Sequence, residues 1–138
     1  MTTLILDNEP AQALLDPRHP KHRLAMAYLE VPGQRNRRKA GSMSVLVPTT
    51  VRVEAGWDRS AGRSAPANRL PITDHALDSS SADRAAQLVN SLGVSPADAH
   101  IGAILEAIQG EVCVLTSDVG DLRRIVRHTD RSATVVTI

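Results

Sequence analysis

The chain has 138 residues, 42% hydrophobic and 22% charged, with a formal net charge of +1, which fits one globular domain and excludes a polycation. It holds no Phe, one Trp and one Tyr, too few rings for a sheet that binds RNA by stacking bases on aromatics. Its one cysteine, Cys113, excludes a disulfide framework and a cysteine-rich zinc site.

The opening Met1-Thr2-Thr3-Leu4-Ile5-Leu6-Asp7 has neither the basic start nor the long apolar stretch of a secretory signal. No apolar run approaches the roughly 20 residues that span a bilayer. A cytoplasmic, single-domain protein over residues 1–138 is the expectation. Leu4-Ile5-Leu6 is a short unalternating apolar run stopped by Asp7, the pattern of a buried strand. Residues 31–43, with Pro32, Gly33, Arg35, Arg37, Arg38, Lys39 and Gly41, read as a basic, turn-rich stretch. Val45-Leu46-Val47 is a second strand, stopped by Pro48. Thr49 or Thr50 is placed to cap a helix carrying Val53, Glu54 and Trp57.

Residues 60–69, with Gly62, Arg63, Pro66 and Arg69, read as a second irregular stretch. Leu70-Pro71-Ile72 is a weak third strand, because proline cannot donate to a ladder. Asp74 is placed to cap a long helix in which Ala85, Leu88, Val89 and Leu92 share a face and Gly93 is the stop. Ser95-Pro96 opens another helix, with Ile101, Ile104, Leu105 and Ile108 inward. Val112-Cys113-Val114-Leu115 is the clearest strand. Leu122, Ile125 and Val126 mark a short helix, and Thr134-Val135-Val136 a last strand. Strands alternating with helices, and nearly continuous in apolar residues, predict a parallel sheet covered on both faces.

The acids fall in a pattern. In a parallel α/β sheet, strands end and the following helices begin on one edge, where ligands bind. Asp7 follows the first strand, and Glu54 lies early in the helix after the second. Asp98 stands three residues past Ser95, and Asp118 and then Asp121 follow the fourth strand. All map to that edge. Clustered carboxylates repel one another, so they are stable only with a cation or a bound proton. Hard oxygen ligands suit Mg²⁺ or Mn²⁺, which activates water and neutralises charge on a phosphodiester. The five histidines offer no familiar zinc spacing. Each acid has an ordinary reading too: Asp98 complementing a helix dipole, Asp118 and Asp121 as turn or cap residues, Asp7 as a strand-end turn. Glu54 is harder to set aside, because it is expected on a face with Val53 and Trp57, where a lone carboxylate is costly to bury.

Leu4-Ile5-Leu6-Asp7, the run from Val47 to Trp57, Asp98-Ala99-His100-Ile101-Gly102-Ala103 and the run from Leu115 to Leu122 together resemble the PIN-domain ribonucleases. More narrowly, they resemble the VapC-type toxins of bacterial toxin–antitoxin pairs. The resemblance covers essentially the whole chain. It implies a three-layer α/β/α sandwich with a five-stranded parallel sheet in the order 3-2-1-4-5. It also implies Mg²⁺- or Mn²⁺-dependent cleavage of RNA, a homodimer and an inhibitory antitoxin. Asp7, Glu54, Asp98 and Asp118 match the acidic quartet, Asp121 a frequent additional acid, and Thr116 and Ser117 the small polar residues before the fourth acid. Arg35, Arg37, Arg38, Lys39 and Arg63 are candidates to guide RNA through its phosphates. Trp57, with Val51 and Val53, is a candidate for the antitoxin groove; its ordinary reading is a core side chain.

Two departures stand out. Asn8-Glu9-Pro10 follows Asp7, where relatives carry small residues or an Asn two positions on. Ser95 stands where many carry a further Asp, which leaves one-metal and two-metal schemes open and supports an alternative, a catalytically weakened PIN-fold module that binds RNA or protein. Leu4 to Pro10 also looks like the opening of a response-regulator receiver domain. That chemistry needs a Lys near the last strand, and this chain has only Lys21 and Lys39.

Overall fold

The computed structural model describes the backbone of residues 1–38 and 43–138, and the side chains of residues 1–31 and 43–138. The strands are β1 (Thr2–Leu6), β2 (Met43–Pro48), β3 (Ile72–His75), β4 (Glu111–Thr116) and β5 (Thr134–Thr137). They form one parallel sheet in the order β3-β2-β1-β4-β5. This is the expected 3-2-1-4-5 arrangement within an α/β/α sandwich. The helices are α1 (Asn8–Leu15), α2 (His22–Arg38), α3 (Thr49–Ala55), α4 (Ala65–Asn68), α5 (Ser79–Leu92), α6 (Pro96–Ala107) and α7 (Val119–Thr129).

β1 is the central strand, and its apolar run is buried because both edges and both faces are covered. Ile5 pairs with Leu46 on one side and Val114 on the other, and Leu6 pairs with Leu115. Ile5, Leu6, Val114 and Leu115 are all buried, with Ile101, Ile104 and Leu105 of α6 among the core residues. No helix among the described residues is long and apolar enough to cross a membrane.

Helix α6 is buried along nearly its whole length, from Ala97 to Leu105. Gly102 is what lets it sit so close to its neighbours. A Cβ there would lie 2.6 Å from Leu88 Cδ1 on α5 and 2.9 Å from Ile125 Cγ2 on α7. The stop after α5 is as expected: Gly93 takes φ +68° and its amide closes on Val89.

Four expectations about elements are corrected. α2 runs to Arg38 and occupies much of the stretch read as turn-rich. Pro32 and Gly33 punctuate the sequence without ending the helix, which is anchored upstream by Ala25 and Leu29, four residues apart and both buried. Residues 60–69 contain a 3₁₀ turn (Gly62–Ser64) and α4, which carries buried Ala67. The cap of α5 is Asp78, whose carboxylate accepts the Ser81 amide at 2.8 Å, and not Asp74. Asp74 belongs to β3 and binds Arg52 and Arg59, each at 2.8 Å. Finally, α3 begins after Pro48 with no side-chain cap and ends at Ala55, short of Trp57.

Candidate metal centre

The sheet register builds the site. One residue past the Leu6–Leu115 pair, the ladder continues with the Asp7 amide donating to the Leu115 carbonyl at 3.0 Å. That places Asp7 beside Thr116, the last residue of β4. The buried Thr116 hydroxyl donates to Asp7 Oδ2 at 2.6 Å and accepts the Asp118 amide at 2.8 Å. One threonine thus orients the first acid and fixes the turn that presents the fourth.

Asp98 is set by a helix start. Ser95 caps α6, its hydroxyl accepting the Asp98 amide at 3.1 Å, and Pro96 fits the first turn. Asp118 caps α7 in turn, accepting the Asp121 amide at 3.4 Å. Asp98, Asp118 and Asp121 each offer an oxygen within 4.8 Å of the others, a spacing one cation can span. Asp7 and Glu54 line the same pocket, of about 320 Å³, together with Ser95 and Ser117. The acids gathered from the sequence do come to one place.

The electrostatics follow from crowding. Burial, and then the charges of Asp7, Asp118 and Asp121, push the Asp98 carboxyl up from 3.8 to about 7. Asp7 is raised as well, chiefly by burial, against the lowering hydrogen bond from Thr116. Glu54 is raised by partial desolvation and by Asp7. Among the described residues, Asp121 has an ion pair, with Arg124 at 3.1 Å, while Asp7, Glu54, Asp98 and Asp118 have none. The donor set is all hard oxygen, which suits Mg²⁺ or Mn²⁺ and not a soft metal.

The surroundings of Glu54 differ from expectation. It is exposed, Val53 beside it is 81% exposed, and neither shares a buried face with Trp57. Trp57 lies beyond α3 and takes its ordinary reading: it is 2% exposed, its Nε1 donates to Asn68 Oδ1 at 2.9 Å, and Arg59 stacks on its ring at 4.6 Å. Glu54 reaches the pocket from the rim, not from the core.

Three pocket residues stood outside the expected site. Asn8, Glu9 and Gln12 line it from α1. The signal was present, since all three follow the end of β1 on the ligand-binding edge. Ser117 hydrogen-bonds Glu9 and lowers its pKa, as does Lys21 at 3.2 Å. Of the basic residues expected to guide RNA, Arg63 is exposed and Arg35, Arg37, Arg38 and Lys39 lie outside the described side chains.

No protein-family model matches the sequence, and no curated protein matches it. Among solved structures, a chain in the crystal structure of VapBC2 from Rickettsia felis bound to a DNA fragment from their promoter is similar, with a TM-score of 0.58 and 13% identity. The match covers 99% of this chain and 98% of that one. At that identity the likeness is one of fold. The chain therefore has the same α/β architecture from end to end, with its carboxylate pocket at the carboxyl edge of the sheet.

Proposed function

We propose that the protein is a metal-dependent endoribonuclease, the toxin of a toxin–antitoxin pair. The observation that carries this reading is the pocket itself. Asp7, Glu54, Asp98 and Asp118 face one small volume with no cationic side chain paired to any of them among the described residues. Such a cluster is completed by a divalent cation. The fold shared with the VapBC2 chain and the ordered resemblance of the motifs to PIN-domain ribonucleases support the same reading.

In this reading Asp98, Asp118 and Asp121, with Asp7 held by Thr116, hold Mg²⁺ or Mn²⁺. The bound ion would supply charge neutralisation at the scissile phosphate and a more acidic water. Glu54, at the rim and raised in pKa, accepts the proton of the attacking water. Glu9, also in the pocket, is held by Ser117 and Lys21. Arg63, Arg35, Arg37, Arg38 and Lys39 contact RNA phosphates. The partners are an antitoxin, which covers the outer face of α3 around Val53, and a second copy of the chain in a cytoplasmic homodimer.

Purified protein with Mn²⁺ should cut structured RNA, and Asp7→Asn and Asp98→Asn should each abolish cutting. Undiminished cutting by both variants removes the proposal. Mn²⁺ binding without cutting in the wild-type protein would instead favour a binding module.

A further inference from the structure

A second cavity opens beside the carboxylate pocket. Its volume is about 460 Å³, within the roughly 300–1,000 Å³ of small-molecule sites. Gln12 lines both spaces. Asn8, Gln12 and Leu15 follow one another along one stripe of α1, at the four- and three-residue spacings that share a helix face, and Asp16 caps its end. Asn8 and Gln12 face the acids, and Gln12, Leu15 and Asp16 face the second cavity. One helical turn, about 5 Å, separates Asn8 in the carboxylate pocket from Gln12, which reaches the second cavity. That is comparable with the stride between neighbouring nucleotides of an extended strand.

The walls suit a nucleotide. Leu15 and Ala55 offer apolar surface from facing helices, and Gly56 leaves the wall beside them open. Gln12 and His19 offer polar edges. His19 is held in one orientation: its Nδ1 accepts the Lys21 amide at 3.0 Å, which puts the ring proton on Nε2, 3.8 Å from Glu9 Oε1. Arg63 closes the far side. It is exposed, donates one long hydrogen bond to the Gly56 carbonyl at 3.4 Å and has no ion pair among the described residues, so its remaining donors can meet a phosphate.

We propose that this cavity is a nucleotide subsite: it seats the base of the RNA residue flanking the scissile phosphate between Leu15 and Ala55, with Gln12 and His19 at the base edge and Arg63 on the next phosphate. The proposal rests on the nuclease reading for what lies in the neighbouring pocket, but not for the binding itself. It makes Gln12, His19 and Leu15 determinants of which nucleotide stands beside the cut.

The test has two arms. In the first, the full chain is titrated with AMP, CMP, GMP and UMP and followed by amide NMR. At least one nucleotide should give saturable shifts at Leu15, His19, Ala55 and Gly56. Arg63→Ala, a surface change, should weaken that binding about tenfold, the size of one charged hydrogen bond. Leu15→Trp, which fills the cavity, should remove it. In the second, cut sites are mapped on randomised RNA with Mn²⁺. Arg63→Ala should raise KM with little change in kcat, and Leu15→Trp should flatten the nucleotide preference beside the cut. Nucleotide shifts that Arg63→Ala weakens, in a protein that cuts no RNA, would keep the subsite and overturn the nuclease. RNA cutting with no shifts at these residues, with KM unchanged in Arg63→Ala and the nucleotide preference unchanged in Leu15→Trp, would overturn the subsite and keep the nuclease.

Discussion

At the residue scale, Asp98 carries the strongest electrostatic consequence. An acid whose folded pKa lies above its unfolded value holds its proton more tightly when folded. Its contribution to stability is therefore complete below about pH 4 and is lost as pH rises towards 7. His100 opposes this over part of the range. It is fully buried between Thr50 Oγ1 at 2.8 Å and His75 Nδ1 at 3.2 Å, and burial followed by the His75 charge lowers it from 6.5 to about 4. Its contribution is present above pH 6.5 and lost as pH falls. Above pH 6.5 the His100 contribution no longer changes, while that of Asp98 still falls. Asp98→Asn, a neutral side chain of the same shape, should thus make the metal-free protein more stable at pH 8, by up to a few kcal/mol. The same variant should lose most of the rise in melting temperature that Mn²⁺ gives the wild type. Thermal unfolding at pH 5 and pH 8, with and without Mn²⁺, measures both effects; equal loss of stability at the two pH values would contradict the account.

At the element scale, the same local signals that end strands and start helices place the acids. Asp7 stops an apolar run, Ser95-Pro96 starts α6, and Asp118 starts α7, so these positions are legible without long-range information. What was not legible depends on tertiary contacts. Asp74 looks like a cap locally, but Arg52 and Arg59, 22 and 15 residues upstream, claim it for β3. The exposure of Glu54 and the burial of Trp57 depend on where α3 ends, and a chain reversal at Gly56 separates the two. α1 was missed because its buried face is built from Pro10, Ala11, Ala13 and Leu14, a weak periodic signal. The close packing of α6 on α5 and α7 gives a separate expectation. Gly102→Ala should destabilise the fold by about 1–3 kcal/mol, because Leu88 and Ile125 must move to admit a methyl group. Chemical denaturation of the variant measures this, and a change below about 0.5 kcal/mol would show that α6 is less tightly wedged than its geometry requires.

At the scale of the whole molecule, the parallel sheet does one thing for function. It brings β1, β4, the short helix α3 and the starts of α6 and α7 to a common edge, so acids far apart in sequence meet. The parallel sheet was legible because apolar runs alternate with helical patterns; its strand order was implied by the resemblance alone. The fold match over 99% of the chain agrees with it. Nothing in the sequence pattern marked the second cavity, because it forms between α1, α3 and the turn at Arg63, each ordinary by itself. The central claim is that the carboxylate pocket holds a divalent cation. Crystals grown with Mn²⁺, measured for anomalous scattering, test it most directly. The account predicts a peak bounded by Asp98, Asp118 and Asp121 on the side facing Asp7, and no such peak in Asp98→Asn. A wild-type map with no manganese among these four residues would contradict it.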